Sequence, residues 1–213
     1  MHEGKLTMGG TVRPRIQRAQ SAPLSWRIRN AARWSFVRGW LCNWLAHWFT
    51  RLTQIPTMTA QLSIRVRRAG GEWVDYGVVC YRVVTNAAVA YMVDDLDSAA
   101  GSADISNWQY HGCGTGTTAE NVTDTSLETE STTALNPDST RATGTGSQPS
   151  ANIYQSVGTL TFDAGAAITE HGVLTQAATG GGTLLDRSVF SAINVSSGDS
   201  IQFTYQLTLT AGN

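Results

Sequence analysis

Three glycines fall within five residues of the stretch HGCGTGTTAENVTDTSLETE (residues 111–130), at Gly112, Gly114 and Gly116, with His111 before them and Cys113 among them. A glycine run of this kind invites comparison with phosphate-binding loops. Those need a lysine to reach the phosphates and a helix whose N-terminus receives them. Here Thr117, Thr118 and Ala119 follow, and no lysine lies nearby. A dinucleotide fingerprint needs a strand–helix–strand frame, which the surrounding pattern lacks. The glycines therefore read as permitting a tight turn. His111 and His171 both precede glycine and Glu170 adjoins the second, so a metal site assembled across the fold can be drawn. Two imidazoles at strand ends do not define one; they read instead as hydrogen-bonded to neighbouring backbone or to another subunit. Asp186 and Arg187 interrupt an apolar strand pattern, where a guanidinium needs a partner, and Arg187 reads as an intersubunit or loop-anchoring ion pair. Serines and threonines are too numerous for a Ser/His/Asp order to stand out. The expectation is a chain that is not an enzyme and has no metal, cofactor or nucleotide site.

The elements that must position these residues are mostly strands. Leu62, Ile64 and Val66 alternate with Ser63, Arg65 and Arg67, and Gly70 and Gly71 offer a hairpin turn into Val74, Tyr76, Val78 and Cys80. Thr85 or Asn86 can cap a short helix in which Val89, Val93 and Leu96 share a face. Asn136 opens a polar Gly/Pro/Ser/Thr stretch to residue 150, long enough to be an exposed functional loop. Leu160 and Phe162 then alternate with threonines, and an apolar strand runs from Leu184 to Val195. A turn follows at Gly198 and Asp199. Ile201, Phe203, Tyr205, Leu207 and Leu209 point one way in the last strand, with Gln and Thr opposite. About eight strands and one short helix predict a mainly β fold, an antiparallel β-sandwich of jelly-roll or Ig-like type.

Residues 1–57 are different in kind. They hold Lys5 and eight arginines against Glu3, a net +8, whereas residues 58–213 carry six basic and fifteen acidic groups, a net −9. Such asymmetry marks a boundary. Residues 1–23 read as a flexible basic arm. From 25 to 52 Val37, Leu41, Trp44, Trp48 and Leu52 recur at helical spacing, with Trp34 and Trp40 flanking, and Pro56 ends the helix. A basic, Trp-rich amphipathic helix suits an anchor on a partner protein or, less favoured, a membrane surface. Favoured over both is a plainer reading, in which Met58 is the true start and residues 1–57 are an upstream extension with no selected fold. The predicted division is 1–57 as extension and 58–213 as a β-domain that folds alone.

Three cysteines, Cys42, Cys80 and Cys113, without CxxC spacing speak against a disulfide framework or zinc knuckle. There is no run of 18 uncharged apolar residues to span a bilayer. The apolar stretch after Arg33 comes too late, and is broken by Arg38, for a secretory signal.

The combination GTGTTAE, ITEHG and RSVFSAINVSSGDSIQFTY, within roughly residues 59–210, resembles a group of small structural proteins of tailed bacteriophages. The resemblance implies a virion component without enzymatic activity: a head decoration or cement protein on the major capsid protein, or a neck, baseplate or tail-fibre part. It leaves residues 1–57 outside. A homo-oligomer is expected, needing no nucleic acid, assembled in the host cytoplasm into the virion. Candidate partner-facing residues are Trp34, Trp40, Trp44, Trp48, Trp108, His111, His171 and Arg187. From another functional class comes a host-glycan-binding sandwich, for which Trp73, Trp108 and Tyr110 would supply stacking surfaces.

Overall fold

The structure, a computed structural model, describes residues 20–97 and 104–211, apart from the side chains of residues 82 and 83. The basic arm expected at the N-terminus lies outside the described residues as far as residue 19. Among the described residues the fold is mainly β. The strands are β1 (Gln20–Ser21), β2 (Thr57–Arg67), β3 (Trp73–Val84), β4 (Tyr110–Gly114), β5 (Ala142–Thr143), β6 (Thr145–Ser150), β7 (Ile153–Thr161), β8 (Ala166–Leu174), β9 (Leu184–Val195) and β10 (Ser200–Thr210). The helices are α1 (Leu24–Ala31), α2 (Trp34–Thr53) and α3 (Asn86–Leu96), with a 3-10 turn at Ile105–Asn107.

Pairing runs β5-β4-β8-β9-β3-β2-β10-β7-β6, antiparallel throughout, while β1 adds a short parallel pairing to β3. The path folds into two sheets joined at both edges. At one edge β3 pairs with β2 along its length but reaches β9 only through Val83 and Val84. At the other, β5 belongs to the β4 sheet and β6 to the β7 sheet, and the chain changes sheets at Gly144, whose N–H donates to the Gln109 carbonyl at 2.6 Å. The expected loop at 136–150 thus contains two short strands. Its Ser/Thr/Gly composition hides them because β6 is an edge strand exposed along its whole length, with no apolar face to betray it, and Pro149 is tolerated there.

Side-chain alternation builds the core as expected for β2 and β10. Leu62, Ile64, Ile201, Phe203 and Tyr205 are fully buried; Phe162, just past β7, and Ile168, Phe190 and Ile193 of β8 and β9 pack with the first four, while Tyr205 joins a second cluster with Trp108, Leu185 and Leu207. In β3 the alternation is interrupted. Two register shifts leave Tyr76 and Val79 without opposite partners, Gly77 takes φ +67°, and the consecutive Val79 and Cys80 are both buried.

α1 fills the seam that this irregular strand leaves. Along the edge of β9 that β3 leaves open, Trp26 Nε1 donates to the carbonyls of Ser191 and Ala192, and Arg33 donates to that of Phe190. Asn30 accepts from the Ser191 N–H and donates to the Val79 carbonyl at 2.8 Å. Side chains thus replace a missing strand's hydrogen bonds. The single helix expected over 25–52 is two helices, parted at Ala32 and at Arg33, which has extended ψ 133°.

Candidate functional site

Glu170 lies at a register shift in β8, which turns its side chain toward the 112–130 segment, and it is fully buried. Its Oε1 accepts from the N–H groups of Gly116 and Thr129, at 3.1 and 2.7 Å, and its Oε2 from the Glu128 N–H at 3.0 Å and Arg187 Nε at 2.8 Å. Arg187, 3% exposed, continues outward to Asp124 at 3.1 Å and Glu128 at 3.0 Å. Burial works against the guanidinium's charge, but the hydrogen bonds to Glu170 and Asp124 outweigh it and hold the pKa above the usual arginine value. Glu128 is held below the usual carboxylate range, first by the Thr118 hydroxyl and N–H and only then by Arg187. One arginine with three carboxylates therefore pins the loop from inside; the loop-anchoring geometry is this chain's own.

The glycines of this loop serve close approach. A Cβ at Gly114 would collide with the Thr129 carbonyl, and one at Gly116 would sit 2.6 Å from the Glu170 carboxylate. Neither has a positive φ. A second buried clamp holds the neighbouring turns. Arg141, 3% exposed, makes a two-pronged contact with Glu130 at 2.6 and 2.9 Å and donates to the carbonyls of Gln176 and Gly181. Sequence reasoning missed Arg141, Glu130 and Glu170 as partners. The legible signal for Glu170 was a carboxylate between the apolar Ile168 and Val173 of one strand.

His111, His171 and Ser156 form a chain between the sheets, with His111 Nδ1 2.9 Å from His171 Nε2 and His111 Nε2 2.8 Å from Ser156 Oγ. Phe203 stacks on the His171 ring at 4.3 Å. All four side chains have no solvent exposure. A hydroxyl, an imidazole and an orienting group in line suggest nucleophilic chemistry, but no substrate reaches them while the sheets stay packed. Beside them the Cys113 thiol is pushed well up, chiefly by burial and further by the charges of Glu130 and Glu170, so it stays protonated. The arrangement ties β4 to β7. Among the described residues no group of three or more His, Cys, Asp and Glu side chains is placed to hold a metal ion.

The outer surface is where large apolar groups meet water. α2 turns Phe36, Gly39, Asn43, Ala46 and Thr50 toward the sheet. It lies so close at Gly39 that a Cβ would be 2.5 Å from the Tyr81 carbonyl oxygen, while Asn43 donates to the Ala60 carbonyl. Its opposite face carries Trp34, Trp40, Trp44 and Trp48, exposed by 74, 49, 49 and 54%, together with Val37, Leu41, Leu45, Phe49 and Leu52. The helix is amphipathic in reverse: apart from Phe36, which packs on Tyr81, small and polar residues face inward and tryptophans outward. No helix among the described residues is long and apolar enough to cross a membrane.

Of the eight expected partner-facing residues, four form this face. Trp108, His111, His171 and Arg187 are buried within the chain. Trp108 packs on Tyr91 and lines a 430 Å³ cavity with Met92, Tyr154, Leu185 and Leu207, under α3. Of the three aromatics expected to stack on a glycan, Trp73 carries Arg65 and Arg67 over its ring and Tyr110 is half-buried.

Comparison with protein-family models, with curated proteins and with solved structures found no match to this chain.

Proposed function

We propose that the chain is a non-enzymatic structural protein of a tailed-phage virion, a decoration or cement protein that binds the assembled head through the major capsid protein. The observation that carries this reading is the outward tryptophan face of α2, held on a rigid two-sheet frame. A contiguous exposed apolar surface of this size marks an interaction site, and one mounted on packed strands loses little entropy on docking. The resemblance of residues 59–210 to phage structural proteins supports the same reading. We take the frame to be a β-sandwich of jelly-roll or Ig-like kind. The buried arginine clamps suit it to a role in which loops keep one shape.

The reading is tested by co-sedimentation with heads lacking the protein, with isolated tails and with immobilised glycans. Saturable binding to heads that survives chelator, and that is lost in Trp44→Ser/Trp48→Ser, is the expected result. Binding to tails alone would move the protein to the neck, baseplate or fibre. Retention on glycans alone would replace the virion reading with host attachment.

A further inference from the structure

α3 presents an outward face of its own. Thr85 caps the helix by accepting from the Ala88 N–H at 3.0 Å, and Ala88 is buried while Val89, Val93 and Leu96 stand 47, 61 and 84% exposed. Asp94 and Asp95 flank this line, and Asp95 holds the Ile105 N–H, which places another exposed apolar side chain alongside.

The two outward helix faces are opposite in charge. Residues 20–57 contain five arginines and no acidic residue, and Arg38 and Arg51 border the apolar face of α2. Residues 83–140 contain nine acidic residues and no lysine or arginine. Among the described residues each face lies open, so neither covers the other.

We propose that copies of this chain associate head to tail, with the outer face of α2 in one copy packed on the outer face of α3 in the next. The proposal rests on reading the chain as an assembly protein and gives the outer face of α2 to a second copy, so that the tryptophans serve head binding by building the oligomer that docks rather than by touching the capsid themselves. Aromatic side chains bury about 150–250 Å² each when covered. The half-open stripe of α2 therefore offers on the order of 800 Å², one partner's share of a standard-size interface. Charge selects the mate. A two-fold pairing of α2 with α2 sets arginine borders against each other, whereas α3 brings carboxylates to the same borders. An anionic lipid surface would also attract α2 but leaves Val89, Val93 and Leu96 in water. A head-to-tail contact repeats, and it closes into a ring when the rotation per copy permits.

Sedimentation velocity on the full chain tests this with two variants at exposed positions, Arg38→Glu/Arg51→Glu and Val93→Lys/Leu96→Lys. Unchanged far-UV circular dichroism shows that each is folded. The wild type should be an oligomer, and each variant alone should be monomeric, its self-association weakened about 100-fold or more. Mixed, the two should form a complex, because each supplies the face the other lacks. An oligomer indifferent to the α3 changes would overturn the proposal in favour of α2 meeting α2. A monomeric wild type overturns it as well, and binding of that monomer to phosphatidylglycerol vesicles would give α2 to a lipid surface instead. A monomer that still binds heads leaves the virion reading standing without this inference. An oligomer of the expected kind that binds no virion part leaves the inference standing without that reading.

Discussion

Arg187 Nε lies 2.8 Å from Glu170 Oε2, and both side chains are buried, 3% and 0% exposed. The pair joins β8 and β9 to a loop that has little secondary structure of its own, because the same carboxylate accepts three backbone N–H groups from residues 116–129. Removing the cation strands Glu170 in a site built for an ion pair, a change that typically costs about 3–5 kcal/mol.

Arg187→Met should therefore lower the thermal midpoint by roughly 6–20 °C in a chain of this size, and speed amide exchange at Gly116, Glu128 and Thr129. A midpoint within two degrees of wild type, with exchange unchanged, would show that the loop is held by other contacts.

Trp26 should matter as much as any residue of the β-core. Its indole occupies the gap between β3 and β9 and satisfies two carbonyls. Trp26→Ala is expected to cost about 3–5 kcal/mol. A chain beginning at Met58 should still unfold cooperatively, since it keeps both sheets except for the short β1 and Thr57, but at a midpoint at least as low. Equal midpoints for that chain and the full one would mean that α1 adds nothing to the fold.

How far these elements were legible depends on the kind of signal each sends. Alternation in β2 and β10 shows in the sequence because one face is dry and the other wet, and Leu62, Ile64, Phe203 and Tyr205 lie where that pattern puts them. The helix at Asn86–Leu96 and its Thr85 cap were equally readable. Its apolar line, Val89, Val93 and Leu96, faces water, and periodicity reports a shared face without saying what covers it. β5 and β6 carry no apolar pattern. Burial of Trp108, His111 and His171 depends on the crossing of two sheets, a long-range fact no local spacing encodes. The Ala32/Arg33 break has neither glycine nor proline at it.

Phe203 anchors the centre of β10 and stacks on His171. Phe203→Ala should lose about 3–5 kcal/mol, and its midpoint should fall further than that of Leu209→Ala, whose side chain is half in solvent. The reverse order would mean that the inner face of β10 has been assigned backwards.

Asp199 gives the fold an acid-sensitive turn. Burial pushes its carboxyl up, but the Arg68 guanidinium and the N–H groups of Ser196 and Ala69 outweigh this and hold it below its usual value. A depressed folded-state pKa adds stability that is complete above the unfolded value near 3.9. That stability is lost as pH falls through the lower folded value. Asp199→Asn should lower stability at pH 7 by about 1.5–3 kcal/mol and narrow its gap to wild type as pH drops below 4. A gap that stays constant down to pH 2 would show that the charge is not what the turn uses.

Peptide mass spectrometry of virions purified from cells that express the genome encoding this chain tests the central claim most directly. The account predicts peptides from both sides of Met58, including ones from α2, at a copy number in proportion to the major capsid protein. Their absence from particles, when the same peptides are abundant in the infected-cell lysate, would contradict it.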